Sequence, residues 1–184
     1  MQDITQLLRA AQSGDRAAAE QAVAQLYADL RVLARRQMRQ AGHFTLLDTT
    51  ALVHEAWLRL PGAGGADFPD RRHFLAYAAR AMRSVVVDLA RARQAERRGG
   101  GLAHVTLDTA VAEQTPDGDA DVLRVHEALQ ELAGLEPRLA QVVEMRYFAG
   151  LLEQDIAQAL GVTERTVQRD WQKARLFLSL SLSA

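Results

Sequence analysis

The chain has no cysteine, which closes off both a disulfide framework and a thiolate metal site. Four prolines, an aromatic share of only 5% and short β-branched runs give little to seed a sheet and little to interrupt a helix. No apolar run approaches the roughly 20 residues that span a bilayer. The opening MQDITQLLRAAQ lacks the basic start and apolar stretch of a secretory leader. A cytoplasmic protein with no membrane insertion is expected. The histidines at 43, 54, 73, 104 and 126 are scattered without ligand spacing. His54-Glu55 would begin a zinc-protease helix only with a second histidine four residues after the first, and that position is Leu58. GAGG at 62–65 is followed by Ala66 and Asp67 rather than by a phosphate-binding lysine. No catalytic residue, cofactor or metal is expected, and the chain does not read as an enzyme.

An apolar content of 48% over 184 residues is enough for one good core or two small ones. The fold class expected is all-α. Residues 3–39 read as two helices broken near Ser13-Gly14-Asp15, the second with Val23, Leu26, Leu30 and Leu33 on one stripe. Further helices are expected over 50–60, 71–98, 121–134 and from Glu136 or Pro137 to Phe148, with a flexible loop at 61–70. Gly99-Gly100-Gly101 opens a polar stretch ending near Pro116 and Gly118. The organisation expected is therefore a helical domain at 1–98, a flexible acidic linker at 99–120 and a smaller helical domain at 121–184.

A net charge of −1 conceals strong segregation. Residues 71–98 carry eight arginines against Asp88 and Glu96, whereas 106–121 carries five acids and no base. Lys173 is the only lysine. A basic helix attracts phosphates, and Phe74 and Tyr77 near its start raise the question of base stacking. Phe74 is better read as core.

The most telling segment is EQDIAQALGVTERTVQRDWQKAR at 153–175. Ile156, Ala157 and Leu160 face inward from a first helix, and Gly161 sits where the turn needs positive φ. Thr163 caps a second helix whose core side is filled by Val162 and Val167. Arg165, Thr166, Gln168, Arg169 and Lys173 are left on or near its exposed side. Such a helix-turn-helix presents forked side chains to base edges in the major groove. A short tail, SLSLSA, is expected to follow.

In order and spacing, these segments from Ile4 to Leu178 resemble a bacterial RNA polymerase sigma factor of the small extracytoplasmic-function (ECF) type. FLAYAARAMRSVVVDLARAR at 74–93 is similar to the region that reads and opens the minus-10 promoter element. Leu135-Glu136-Pro137-Arg138, VVEMRYFAG at 142–150 and the helix-turn-helix are similar to the region that reads the minus-35 element. The resemblance implies two partners, promoter DNA and core polymerase, the latter through its β′ clamp helices and β flap. It assigns the minus-35 element to Arg165, Thr166, Gln168, Arg169 and Lys173. It assigns the minus-10 element to Tyr77, Arg80, Arg83, Ser84 and Arg91. Core polymerase falls to Asp48, Thr50, Leu52, Glu55 and Trp57. Many relatives are also held by an anti-sigma factor.

Two departures from the family pattern stand out. Most members carry Asp-Ala-Glu-Asp before the polymerase-binding helix, and here the aligned residues are Asp48-Thr49-Thr50-Ala51. Two carboxylates are missing, each worth on the order of 1 kcal/mol when exposed, so weak binding to polymerase is expected from the unmodified chain. A phosphate on Thr50, or less favourably on Thr49, would restore negative charge at a helix start. TALVHEAWLRL resembles a subgroup that lacks the acidic cluster and is associated with Ser/Thr kinases. Ser84 replaces the usual asparagine of the minus-10 helix, so promoter specificity does not carry over. The rival reading is a helix-turn-helix regulator acting on an operator without joining polymerase.

Overall fold

In the computed structural model the described residues are 13–40, 48–59, 70–99 and 117–183, together with Ile4, Gln6, Leu7 and Ala10. They contain helices and turns and no strand, as expected from the sequence. In chain order the helices are α1 (Arg16–Gln40), α2 (Thr49–Arg59), α3 (Arg71–Gly99), α4 (Asp117–Leu135), α5 (Pro137–Val143), α6 (Glu153–Leu160) and α7 (Glu164–Ser183). A π-helical turn, Glu144–Phe148, continues α5. The break before α1 falls at Gly14, whose φ of 98° suits glycine.

Helix α3 is the centre of the molecule. Alanines at 78, 79 and 90 let neighbours approach closely, and Met82, Val85, Val86 and Val87 fill the space between them. It packs against α1, α2, α4 and the π turn. Phe74 is buried at 3% exposure, a core residue as read from the sequence. One contiguous apolar cluster runs from Leu30 and Leu52 through Met82 to Leu132, Val142, Ile156 and Val167. The N-terminal and C-terminal helices thus share buried surface.

Two expected boundaries shift. Helix α4 begins at Asp117, four residues before the sequence suggested. The cause is charge pairing: Asp119 is buried and accepts from Arg97, with Arg93 at 3.5 Å. Residues 61–69 of the loop expected at 61–70, and residues 100–116 of the expected linker, lie outside the described residues. The helix of the helix-turn-helix continues through the expected short tail to Ser183. Ser179 and Ser183 return their hydroxyls to the carbonyls of Leu176 and Ser179, and Phe177 and Leu178 pack against the core. No described helix is long and apolar enough to cross a membrane.

Candidate nucleic-acid interface

The helix-turn-helix is built as its spacing implies. Ile156 and Ala157 are buried, and Gly161 takes φ 65° at the end of α6. The Val162 N–H then donates to the Ala157 carbonyl at 3.0 Å. Thr163 starts α7 by accepting from the Thr166 N–H at 3.2 Å. Val167, Asp170 and Ala174 turn inward. The Asp170 carboxylate, 2% exposed, accepts from Arg138 Nε at 2.6 Å and ties α5 to α7. Arg165, Gln168, Arg169 and Lys173 are exposed and Thr166 is half-buried. Arg165, Thr166, Gln168 and Arg169 line a shallow concavity of about 370 Å³ with Thr163 and Gln172.

A chain of polar contacts stands behind this face. Trp171 lies under the Arg146 guanidinium, 4.9 Å from its ring centroid. Arg146 donates to one Glu153 oxygen at 2.5 Å. Gln168 Nε2 donates to the other at 2.7 Å. The Gln168 hydrogen bond, helped by Arg146, holds the Glu153 carboxyl below its ordinary range.

The basic helix α3 presents Tyr77, Arg80, Arg83, Ser84 and Arg91 along one side, but they differ in availability. Arg91 is exposed and lies 4.0 Å from Asp88. Ser84 accepts from Arg59 at 2.8 Å. Arg80 Nε donates to Glu144 at 2.8 Å and Arg83 donates to the other Glu144 oxygen. Arg83 is only 11% exposed at its side chain. Its guanidinium lies 5.5 Å from the Phe148 ring centroid, and its Nη1 lies 2.9 Å from His126 Nδ1. An arginine always carries its proton, so this nitrogen of His126 must be the acceptor. Burial, then the charges of Arg83 and Arg91, lower the His126 pKa. Arg80 and Arg83 thus close over a cleft of about 690 Å³, with Arg59, Tyr77 and Ser84 on one wall and His126, Gln130 and Glu144 on the other.

A second set of contacts backs the first. The π turn leaves the carbonyls of Arg146, Tyr147 and Phe148 at a helix end without the usual partners. Arg36 donates to the first two at 3.2 and 2.9 Å, and Gln37 to the third at 3.3 Å. Helix α1 therefore caps a helix from the other end of the chain. Gly150 permits this: its φ is +74°, and an added Cβ would stand 2.8 Å from Arg36 Nη1. Arg72 adds a contact to Gln158 of α6.

The family model described as ECF sigma factor matches residues 1–184. The chain belongs to the ECF sigma factor family. No curated protein and no solved structure matches it. Factors of this family join core RNA polymerase and direct it to promoters, and the family is not an enzyme class.

In this sigma factor the residues expected to meet polymerase cluster on α2, with one correction. Leu52 is fully buried with Val53 and Ala56, so its side chain belongs to the core rather than to the outer face. Thr50, His54, Trp57 and Leu58 form the exposed stripe, at the i, i+4, i+7 and i+8 spacing of one helix face, with Glu55 beside them. Trp57 and Leu58 are 41% and 77% exposed. Asp48 caps the helix: its carboxylate accepts from the Ala51 N–H at 2.7 Å. The cap therefore does not consume the hydroxyl of either threonine. Thr50 is exposed and Thr49 half-buried.

Sequence reading missed Arg36, Gln37, His126, Glu144 and Glu153. Only Glu144 left a trace, as a lone acid within the apolar run VVEMRYF.

Proposed function

We propose that this sigma factor docks on core polymerase through the exposed stripe of α2 and reads two promoter elements with α3 and α7. Residues 1–98 would serve the minus-10 element and 121–184 the minus-35 element, with Arg165, Thr166, Gln168, Arg169 and Lys173 against the latter. Its hold on polymerase is raised by phosphorylation of Thr50, through a Ser/Thr kinase. One observation carries the switch: Thr50 is exposed in the first turn of α2, on the same stripe as Trp57 and Leu58, while Asp48 already caps the helix. A phosphate there adds roughly two negative charges at the positive end of a helix dipole. The anion would stand beside an apolar patch, a combination suited to a basic and partly apolar partner surface.

The closed arrangement supports a resting form. Arg83 is buried while Glu144 holds it, and the charge of the more exposed Arg80 is partly neutralised by the same carboxylate. Promoter engagement then requires the Glu144 contacts to break and the two ends of the chain to separate. This latch restrains the factor internally, whether or not an anti-sigma factor also binds.

The test is run-off transcription with core polymerase, comparing wild type, Thr50→Ala, Thr50→Glu and kinase-treated protein. Thr50→Glu and treated wild type should transcribe more than untreated wild type, and Thr50→Ala should not respond to the kinase. If Thr50→Glu binds core no better than wild type and treatment changes nothing, the switch is wrong. Transcription from none of the four on a functional promoter would count against the promoter-directing reading itself.

A further inference from the structure

Gln168 stands on the exposed face of α7, yet its amide is already committed on one side. A carboxylate oxygen only accepts, so the group facing Glu153 must be the Gln168 nitrogen. Glu153 cannot turn away, because Arg146 holds its other oxygen and is itself laid over Trp171. One of the two Nε2 protons is thereby used. With the proton on the side away from Oε1 given to Glu153, what remains for an incoming base is the Oε1 acceptor and the second N–H, side by side.

We infer that Glu153 is a specificity-determining residue: by fixing the Gln168 amide it makes that side chain a reader of adenine. This rests on the proposed docking of α7 in the major groove. Adenine offers an N6 donor and an N7 acceptor side by side, which match a carbonyl and an N–H. Guanine offers two acceptors, O6 and N7, and would set its O6 against the fixed carbonyl. An unrestrained glutamine can rotate to give both protons, and the restraint removes that option. Glu153 touches no base in this scheme. It acts through Gln168 as a positioning residue.

Replacing Glu153 by Gln makes a sharper test than deletion. Arg146 would take the single carbonyl oxygen of the new side chain, leaving its amide nitrogen toward Gln168. Gln168 must then turn its own oxygen inward and present N–H groups outward. The preferred base should move from adenine towards guanine.

The experiment is selection from a promoter library randomised over both elements, bound by holoenzyme assembled from core polymerase and saturating full-length sigma factor. Wild type, E153A, E153Q, Q168A and the E153A/Q168A pair are compared. Wild type should favour adenine at one minus-35 position by about 5- to 150-fold, the range of a good bidentate contact. Q168A should flatten that position. E153A should flatten the same position and no other, with no further loss in the pair, and E153Q should shift it to guanine. Undiminished adenine preference in both Glu153 variants overturns the inference while leaving α7 as the reader. So does an equal loss at every minus-35 position in E153A, which would mark a structural role only. If Q168A alters no position at all, the docking of α7 falls, and this inference with it.

Discussion

Glu144→Gln is the most informative single change. It keeps the shape of the side chain and removes the charge that holds Arg80 and Arg83. The Glu144 and Arg83 side chains are 10% and 11% exposed, so this half of the contact is buried. Removing one partner from a buried ion pair costs about 3–5 kcal/mol, because the other charge is left without compensation. Arg80 is 60% exposed, and its share is that of a surface pair, under about 1 kcal/mol. Arg83 then has His126, the Phe148 ring and at most the neutral carbonyl oxygen of the new glutamine, none of which carries the lost charge. The closed arrangement should lose about 3 kcal/mol relative to an open one, a factor of roughly 100 in their ratio. Anisotropy with a short labelled duplex reads the outcome in the free protein. Affinity should rise, and the slope of log K against log salt should steepen by about 2 as the two freed arginines meet phosphates. Small-angle scattering should show a larger radius of gyration, with helix content by circular dichroism unchanged. Unaltered affinity, salt slope and radius would refute the latch. Loss of helix would instead mark Glu144 as a folding residue.

Gly150→Ala should lower stability by about 1–3 kcal/mol, from positive φ and from the clash with Arg36, and differential scanning calorimetry measures it. His126 is a weaker base folded than unfolded, so its contribution is complete above the ordinary pKa near 6.5 and is lost as pH falls below it. Acidification from pH 7 to 5 should therefore open the cleft and raise duplex binding, facing Arg83, Arg91 and Asp88 of α3 and Glu127 of α4. His126→Gln should flatten that profile in the same anisotropy assay. Burial raises the Asp70 carboxyl pKa, but hydrogen bonds from His73 and Arg72 outweigh it and bring it down to about 2. The stability this gives is complete above about pH 4 and is lost as pH falls towards 2. Asp70→Asn should cost about 1–2 kcal/mol at pH 7 after solvent screening, and only a small fraction of that at pH 2, by urea titration at both values.

The helix-turn-helix was legible because its determinants are local. Gly161 at a positive-φ turn, Thr163 as cap and Val167 as core all lie within seven residues, and each acts on its neighbours. The start of α4 was misplaced because composition near Pro116 and Gly118 argues for a loop, while the pairing of Asp119 with Arg93 and Arg97 argues for helix. Tertiary charge won over local propensity. Leu52 could not be told from its exposed neighbours because α2 is apolar on more than one side, and only the packing shows which side is core. The latch was not legible at all. Glu144 meets its arginines across 61 and 64 residues, and Arg36 meets the π turn across 110 and 111. No periodicity reports a partner at that distance.

The two halves of that latch differ in how they tolerate change over generations. Glu144 holds α3 through a side chain, so a single substitution can erase the contact. Arg36 and Gln37 grip main-chain oxygens, which every amino acid supplies. Side-chain changes at 146 to 148 therefore leave the oxygens that hold α1 in place, although Phe148 stays tied to the core and Arg146 to Glu153, and Gly150 is the position that Arg36 crowds directly. Variants that tune how readily the factor opens should arise at Glu144 and at Arg36, and seldom along the turn that Arg36 caps.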